Sequence, residues 1–322
     1  MKESLIQMVA EFLAFDVQTL GDLAAKAQST YRHYKIPKKR GGERTIYHPS
    51  KTTKGLQYAL MHLLKETLPP HECAKAFVRG LSSPLRKNAE AHAGLPYTLR
   101  IDFKDFFPSI RPDDLVAAIE GGTTLAKRVL SAEEQTFLTQ VLFVRYRDGL
   151  LGLPIGAPSS PMVSNAIMRS LDESIQTYAL SHDFVYTRYA DDLIFSTAAK
   201  GASKPFLDGL REIVGKSPHP KLTINEKKTL FMSRNSRRAI TGLIISPDGT
   251  LSIGRSLKRR LRALVNDFQN GKLQEHDKHR LQGYLAFVLD VEPGFYNRLC
   301  QKYTGRVLEH ALKQIGNRKG SA

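Results

Sequence analysis

The sequence predicts a mixed fold of the α+β (α/β) class, and three observations lead to that prediction. Strand-like segments that alternate apolar and polar residues recur within residues 31–246. Longer segments with apolar residues at helical spacing lie between them and fill the last part of the chain. No internal repeat is visible, which excludes solenoid folds. We therefore expect a mixed core followed by a helical C-terminal part.

The N-terminal part is predicted to contain helices and one hairpin. Residues 1–30 have helical spacing. Residues 31–51 indicate a β-hairpin whose basic tip is centred on Gly41. Leu56 begins a series of leucines at helical spacing, and Pro69 is expected to end that helix.

The remainder of the chain is predicted to alternate strands with longer helices. A strand is expected over Tyr97–Ile101, and Ser160, which precedes a proline, is expected to cap a long helix. Two strands joined by a tight connection are expected within residues 184–196. One further strand is expected over 239–246, and an amphipathic helix over 257–268.

Basic residues are in excess along the chain. In 322 residues, 48 Lys and Arg against 31 Asp and Glu give a formal charge of +17 at pH 7. This excess favours a polyanionic partner, because each phosphate neutralised by Lys or Arg releases condensed counterions. Cys73 and Cys300 lie too far apart for a zinc or disulfide framework and fit a reducing compartment. With no signal peptide and no segment near the roughly 20 apolar residues that span a bilayer, we expect a cytoplasmic protein without a membrane partner.

Acidic residues follow predicted strands at two places. Asp102 ends one apolar strand, and Asp191 and Asp192 lie between two others. An unpaired carboxylate at such a position is costly to bury, and two Mg²⁺ ions would remove that cost. An Asp pair alone is more often a simple turn. The tetrapeptide Tyr189-Ala190-Asp191-Asp192 between two apolar strands is far more specific.

That tetrapeptide resembles the Tyr-X-Asp-Asp signature of reverse transcriptases, and the resemblance extends from about Tyr31 to Gly242. It implies a right-hand polymerase fold with fingers, palm and a helical thumb. The implied domains are an N-terminal helical segment at 1–30, fingers and palm at 31–246 (fingers mainly 31–98 and part of 115–160, palm mainly 99–114 and 161–246), and a thumb at 247–322 that binds RNA or duplex.

The resemblance also implies a catalytic set with two Mg²⁺ ions. The implied metal-binding residues are Asp102, Asp191, Asp192 and Phe103. In the segment Asn225-Glu226-Lys227-Lys228-Thr229, a lysine would protonate the leaving pyrophosphate. Lys228 is the better candidate because it stands directly before Thr229, although Lys227 could also serve.

A nucleotide site follows from the same resemblance. Cations of the hairpin would grip the triphosphate, and Phe107 would exclude a 2′-hydroxyl from the incoming sugar. Ile155 stands where many relatives have Gln, so the contact there should be apolar. The implied nucleotide-binding residues are Lys38, Lys39, Arg44, Phe103, Phe106, Phe107, Ile155 and Gly156.

Two motifs favour the retron branch of the family. Residues 88–92 match an Asn-Ala-X-X-His motif, and residues 240–242 are a variant of a Val-Thr-Gly motif. Cations at three- or four-residue spacing on the last amphipathic helix could follow a nucleic-acid backbone. The implied nucleic-acid-binding residues are Asn88, His92, Thr241, Gly242, Arg255, Lys258, Arg259 and Arg262.

Membership of the retron branch would imply a specific substrate and set of partners. The enzyme would copy part of a cognate noncoding RNA, serving as template and primer, into DNA from dNTPs. It would start from a guanosine 2′-hydroxyl and give branched RNA–DNA (msDNA). Host ribonuclease H would remove the template, and an effector or toxin from a neighbouring gene would act with the enzyme in antiphage defence. A group II intron-like enzyme, an abortive-infection-type enzyme and an inactive RNA-binding scaffold remain as alternatives.

Overall fold

The computed structural model describes residues 4–38, 41–121, 129–303, 305 and 308–309. Lys39, which the sequence assigns to the triphosphate site, lies outside these residues. The chain divides into two compact units. Unit 1 comprises Met1–Arg79, Arg100–Leu193 and Gly201–Leu230, and unit 2 comprises Gly80–Leu99, Ile194–Lys200 and Phe231–Ala322. Within the described ranges, no helix combines the length and the apolar character needed to cross a bilayer.

Helices and strands both contribute to the described structure. The helices are α1 (Leu5–Leu13), α2 (Val17–Ala27), α3 (Lys51–Leu64), α4 (Pro84–Glu90), α5 (Phe106–Ser109), α6 (Pro112–Glu120), α7 (Ala132–Leu142), α8 (Ser160–Ser181), α9 (Ser203–Lys216), α10 (Arg255–Gln269), α11 (Glu275–Val291) and α12 (Pro293–Tyr303). The strands are β1 (Arg32–Pro37), β2 (Glu43–His48), β3 (Tyr97–Asp102), β4 (Val144–Arg145), β5 (Leu151–Gly152), β6 (Val185–Tyr189), β7 (Asp192–Thr197), β8 (Leu230–Ser233), β9 (Arg238–Ile240), β10 (Leu243–Ile245) and β11 (Leu251–Ser252).

The strands of the described residues form four sheets, of which the largest has the order β6-β7-β3-β8. In unit 1, β1 pairs with β2 and β4 pairs with β5, both antiparallel. In unit 2, β10 lies between β9 and β11 and pairs antiparallel with both. Of the acids that the sequence singles out, Asp102 ends β3, and Asp191 and Asp192 lie where the chain passes from β6 into β7.

The predicted N-terminal elements are present, with one boundary in error. Helices α1 and α2 and the β1–β2 hairpin confirm the expectation for residues 1–51. Helix α3 begins after Ser50, whose side chain accepts a hydrogen bond from the Thr53 backbone N–H. It ends at Leu64 rather than at Pro69. Hydrogen-bonded turns continue beyond it, since the Thr67 and Leu68 N–H groups both donate to the Leu64 carbonyl, and Leu68 is buried directly before Pro69.

Two later expectations require correction. The strand predicted over 239–246 is instead a hairpin of β9 and β10. Its turn residues, Thr241 and Gly242, have φ of 49° and 88°, and a left-handed turn interrupts an extended strand. Ser159 rather than Ser160 precedes the first residue of helix α8, and its side chain makes no capping hydrogen bond. The Ser160 hydroxyl instead donates to the Pro154 carbonyl.

Unit 2 is built around a helical core. The apolar residues of α10 face those of α11, as its predicted stripe requires. The core also includes residues of β9, β10 and α12. Buried positions at the centre of this cluster are Leu261, Leu264, Val265, Leu281, Leu285, Val288, Phe295 and Leu299.

Candidate active site

Strand ends and one tight turn bring two acids of unit 1 together. Asp102 is the last residue of β3, and Asp191 lies in the connection between β6 and β7. The Phe103 backbone N–H donates to the Asp191 carbonyl at 3.3 Å, which ties this connection to the end of β3. Ala190 has a φ of 57°, a left-handed conformation that is strained for a residue with a Cβ. The strained residue directly precedes Asp191 in the connection between β6 and β7.

The Asp191 carboxylate is partly buried in the turn between β6 and β7. Burial, together with the nearby Asp192 and Asp102, raises the pKa of Asp191 from 3.8 to about 6. Over the described ranges, no side chain donates a hydrogen bond to this carboxylate or forms an ion pair with it. Ionised Asp191 is therefore destabilising until a cation approaches it.

Asp102 is paired in the absence of a ligand. Its side chain is 5% exposed and accepts from Lys228 Nζ, which lies 2.8 Å from Oδ1 and 3.1 Å from Oδ2. Asn225 Nδ2 donates to the same Oδ1 at 3.2 Å. The Asn225 backbone N–H also donates to the Asp102 carbonyl at 2.7 Å. Residues 225–228 are thus held against the end of β3.

Asp192 has a different environment. Arg100 binds it through both oxygens, with Nη2 lying 2.8 Å from Oδ1 and from Oδ2. Burial raises the pKa of Asp192, and the Arg100 guanidinium opposes that rise. Because its oxygens are already occupied, Asp192 is less available to a metal than Asp191.

The donor chemistry of the acids fits a divalent cation. Asp102 and Asp191 offer carboxylate oxygens, the ligands that hard cations such as Mg²⁺ prefer. A different group, His71, Cys73 and Asp172, is the set of described donors in which three ligand atoms lie within 4.8 Å of one another. That group is unsuited to a cation, because Arg188 and Tyr186 occupy Asp172 and burial raises the pKa of the Cys73 thiol.

A cleft of about 630 Å³ in unit 1 collects most of the predicted nucleotide site. The predicted residues that line it come from the β1–β2 hairpin, from residues 103–107, from the segment after β5, from the acidic turn and from the turn Glu226–Lys228. They are Lys38, Arg44, Phe103, Phe106, Phe107, Ile155, Asp191 and Lys228. Gly156 is an exception, since it lines a neighbouring cavity of about 360 Å³ together with Phe107.

Backbone contacts fix the position of Phe107. Phe106 is 3% exposed and belongs to the core, whereas Phe107 is half-buried and faces the cleft. The Leu153 N–H donates to the Phe107 carbonyl at 3.0 Å.

Gly156 has a φ of 113°, and a Cβ there would lie 2.7 Å from Ile46 Cγ2. Glycine is therefore required where this segment meets the hairpin.

Sequence reasoning missed several residues that line the cleft. Arg111, Tyr146 and Arg147 also line the cleft, and the last two belong to the connection between β4 and β5. The Arg111 guanidinium donates a hydrogen bond to the Leu151 carbonyl, whereas the Arg147 side chain is exposed. A basic residue in a short polar turn has no distinguishing local pattern, so only the tertiary fold identifies Arg147.

The retron motif residues of unit 2 lie in the interior. Asn88 and His92 are both fully buried, and His92 Nδ1 lies 3.0 Å from Ser196 Oγ. This corrects the expectation of a direct nucleic-acid contact, because neither side chain reaches the surface. Thr241 and Gly242 form the β9–β10 turn, where the Thr241 hydroxyl donates to the Leu85 carbonyl.

One of the four cations predicted to bind nucleic acid on α10 already has a partner within unit 2, whereas the other three are exposed. Arg255, Arg259 and Arg262 are exposed. Lys258 is less available, since its Nζ lies 2.5 Å from Glu292 and 5.1 Å from the centre of the Phe295 ring. The exposed arginines stay predicted contacts for a nucleic-acid backbone.

Comparisons with known proteins agree on one family. The family model described as "Reverse transcriptase (RNA-dependent DNA polymerase)" matches residues 36–248. The chain is 38% identical to the retron Ec73 reverse transcriptase of Escherichia coli over 279 residues, covering 84% of this chain and 86% of that protein. It is 33% identical to the retron Ec83 reverse transcriptase of Escherichia coli over 284 residues, covering 87% and 89%. Among solved structures, apo telomerase from Candida tropicalis superposes with a TM-score of 0.48 at 12% identity, covering 89% of this chain and 62% of that one. The matches to the family model and to the two retron enzymes show that the chain belongs to the reverse transcriptase family, in its retron branch, and is an RNA-directed DNA polymerase.

Proposed function

We propose that this retron reverse transcriptase extends DNA by nucleotidyl transfer with two Mg²⁺ ions held by Asp102 and Asp191. The observation that supports this most directly is the partly buried Asp191 carboxylate, whose pKa is raised to about 6 and which has no side-chain partner among the described residues. It lines the same cleft as the cations Lys38, Arg44 and Lys228. When bound, the Mg²⁺ ions would polarise the attacking hydroxyl and offset the charge of the leaving pyrophosphate.

Lys228 is proposed as the proton donor to the leaving group. Its ammonium is paired with Asp102 in the ligand-free cleft. The Asp102 lone pairs cannot serve Lys228 and a cation equally, so ligation by Asp102 would release Lys228 toward the pyrophosphate. A lysine donates a proton there without adding negative charge to a site that already holds a triphosphate.

Cations and one aromatic ring are proposed to bind the incoming dNTP. Lys38 and Arg44, together with Lys39, would hold the triphosphate, Arg44 through a bidentate contact. The backbone of residues 103–106 would line the triphosphate path, since the Phe103 and Phe106 rings are buried. Phe107 would stand against the sugar and exclude a ribose 2′-hydroxyl. Asp192, held by Arg100, would support the acidic turn more than it would ligate a metal.

The retron relationship supports the proposed substrate and partners. The enzyme would copy part of a cognate structured RNA, prime from a guanosine 2′-hydroxyl and yield msDNA, with host ribonuclease H removing the template. The exposed arginines of α10 belong to the proposed thumb and would bind duplex backbone. We also propose cytoplasmic action in antiphage defence with an effector from a neighbouring gene.

Primer extension on an RNA template with Mg²⁺ and labelled dNTPs tests the catalytic proposal. Wild type and Asp22→Ala, which alters an exposed residue of α2, should both make template-length DNA. Asp191→Ala should make at least about 10³-fold less, because it removes a carboxylate that holds the metals. Equal synthesis by Asp191→Ala would show that the active site lies elsewhere.

Nucleic acid that copurifies with the full-length protein tests the priming proposal. Ribonuclease digestion should leave a DNA strand that carries a guanosine residue at its 5′ end through a 2′–5′ bond. A free DNA 5′ end in the product would contradict 2′-hydroxyl priming while leaving the catalytic proposal intact.

A further inference from the structure

Lys228 is carried by a short 3₁₀ turn, Glu226–Lys228, that has two side-chain attachments. At its end, Lys228 Nζ contacts Asp102 at 2.8 Å. At its beginning, Glu226 accepts a two-pronged contact from Arg211, with Nε 3.0 Å from Oε1 and Nη2 2.8 Å from Oε2. The turn is therefore held from both sides.

Arg211 is itself well anchored. It lies on α9, whose apolar face is fixed in unit 1 by the buried residues Leu207, Leu210 and Val214. The remaining terminal nitrogen, Nη1, donates to Asp208 on the same helix at 2.5 Å. All three guanidinium nitrogens are thus engaged, which gives Arg211 a defined orientation.

Burial does not hold Lys228 in place. Its side chain is 57% exposed, and a lysine loses considerable rotamer entropy when it is held in one position. Backbone bonds restrain the chain just before the turn, where Lys104 N–H donates to the Thr223 carbonyl and Asn225 N–H to the Asp102 carbonyl. Those bonds do not fix the outer side of the turn, which the Arg211 contact reaches.

Glu226 would otherwise compete for Lys228. It lies two residues before Lys228 and has a half-exposed carboxylate. The Arg211 guanidinium lowers the pKa of Glu226, so the pair stays ionised. With both of its oxygens occupied by Arg211, Glu226 leaves the Lys228 ammonium to Asp102.

We propose that Arg211 is a positioning residue that, through Glu226, directs the Lys228 ammonium toward Asp102 and the leaving pyrophosphate. This inference rests on the proposed role of Lys228 as proton donor. Arg211 touches neither the nucleotide nor the metals, so its effect must pass through Lys228.

Single-nucleotide incorporation by the full-length enzyme tests the proposal through a double-mutant cycle. Arg211→Met should lower kcat about 3- to 10-fold, with KM for the dNTP unchanged within about 2-fold, because an exposed pair has a modest effect. Arg211→Lys should recover part of the loss, since Lys keeps the positive charge but cannot make the two-pronged contact with Glu226. In a Lys228→Ala background, Arg211→Met should have no further effect.

Several outcomes separate this inference from the proposed function. A matched control, Glu212→Gln, breaks an exposed pair with Lys216 on the same helix and should leave kcat unchanged. If Arg211→Met lowers kcat by the same factor with and without Lys228, its role is structural and the inference is overturned. If Lys228→Ala is slow and Arg211→Met is normal, only the inference fails. If Lys228→Ala is as fast as wild type, the proton-donor role fails and the inference fails with it.

Discussion

Two acidic regions of unit 1 differ in how their charge is balanced. In one, Asp172 and Arg188 are both fully buried, with Nη2 lying 2.6 Å from Oδ2, and the Tyr186 hydroxyl donates to Asp172 at 2.8 Å. In the other, the partly buried Asp191 carboxylate has no side-chain partner in the described part of the chain, and its pKa rises to about 6. The protein neutralises the first charge, and we propose that a divalent cation neutralises the second.

The Asp172–Arg188 pair also stabilises the turn that carries Asp191. Arg188 Nη1 donates to the Ala190 carbonyl at 3.2 Å and to Asn165 Oδ1 at 3.0 Å. Ala190 is the strained residue that precedes Asp191. A fully satisfied ion pair therefore holds the turn in which an unsatisfied acid is displayed. The comparison indicates that Asp172 is a structural acid, and the missing side-chain partner of Asp191 among the described residues is the observation behind the proposal that Asp191 binds a metal.

The largest expected effect comes from breaking the neutralised pair. Arg188→Met leaves Asp172 buried without a counter-charge and should lower the free energy of unfolding by about 3–5 kcal/mol. Urea denaturation followed by circular dichroism measures this change. The double variant Asp172→Leu/Arg188→Met should recover most of the loss, because no charge is then left unpaired. A loss below about 1 kcal/mol in the single variant would contradict the comparison.

Removing the uncompensated charge should have the opposite sign. Above its unfolded pKa of 3.8, ionisation of Asp191 costs folding free energy, and the cost is complete above a pH of about 6. Asp191→Asn should therefore stabilise the metal-free protein by about 1–3 kcal/mol at pH 8, and by about half as much at pH 5. Urea denaturation in EDTA at both pH values measures the gain. Destabilisation at pH 8 would show that Asp191 has a partner in the folded state.

Protons should compete with divalent cations at Asp191. With a pKa of about 6, roughly one molecule in ten is ionised at this residue at pH 5. Affinity for Mn²⁺, used as a probe, should thus fall about tenfold between pH 7.5 and pH 5 and be flat above pH 7. Electron paramagnetic resonance of free Mn²⁺ measures it. The same affinity at pH 5 and pH 7.5 would exclude Asp191 as the proton-linked ligand.

The smallest change in the free energy of unfolding is expected for an ion pair whose side chains are exposed to solvent. Lys35 Nζ lies 2.6 Å from Glu43 Oε2, as short as the buried pair, but the two side chains are 52% and 59% exposed. Glu43→Gln should change the free energy of unfolding by only about 0.2–0.5 kcal/mol. A change above about 1.5 kcal/mol would mean that distance, rather than burial, sets the contribution of these pairs.

The parts of the fold and site with local sequence signatures could be predicted. The mixed α+β class is confirmed by the described elements, and family membership confirms the right-hand polymerase fold. Asp102 and Asp191 could be singled out because one ends an apolar strand and the other lies between two apolar strands. The β1–β2 hairpin was found because glycines and cations interrupt two extended segments.

Features that depend on distant contacts could not be predicted. Arg188 is 16 residues from Asp172, and within β6 it looks like any polar position of a strand. Arg211 and Glu226 are 15 residues apart and have no pattern that links them. The buried position of His92 was missed because a motif reports residue types and not exposure.

Mn²⁺ titration of wild type and Asp191→Asn at pH 7.5, followed by electron paramagnetic resonance, tests the central claim that Asp191 is left uncompensated for a divalent cation. Asp22→Asn, at an exposed position, serves as the matched control. We expect wild type and the control to bind Mn²⁺ alike, and Asp191→Asn to bind at least about tenfold more weakly. Equal binding by all three proteins would contradict the claim and return Asp191 to the status of an ordinary turn residue.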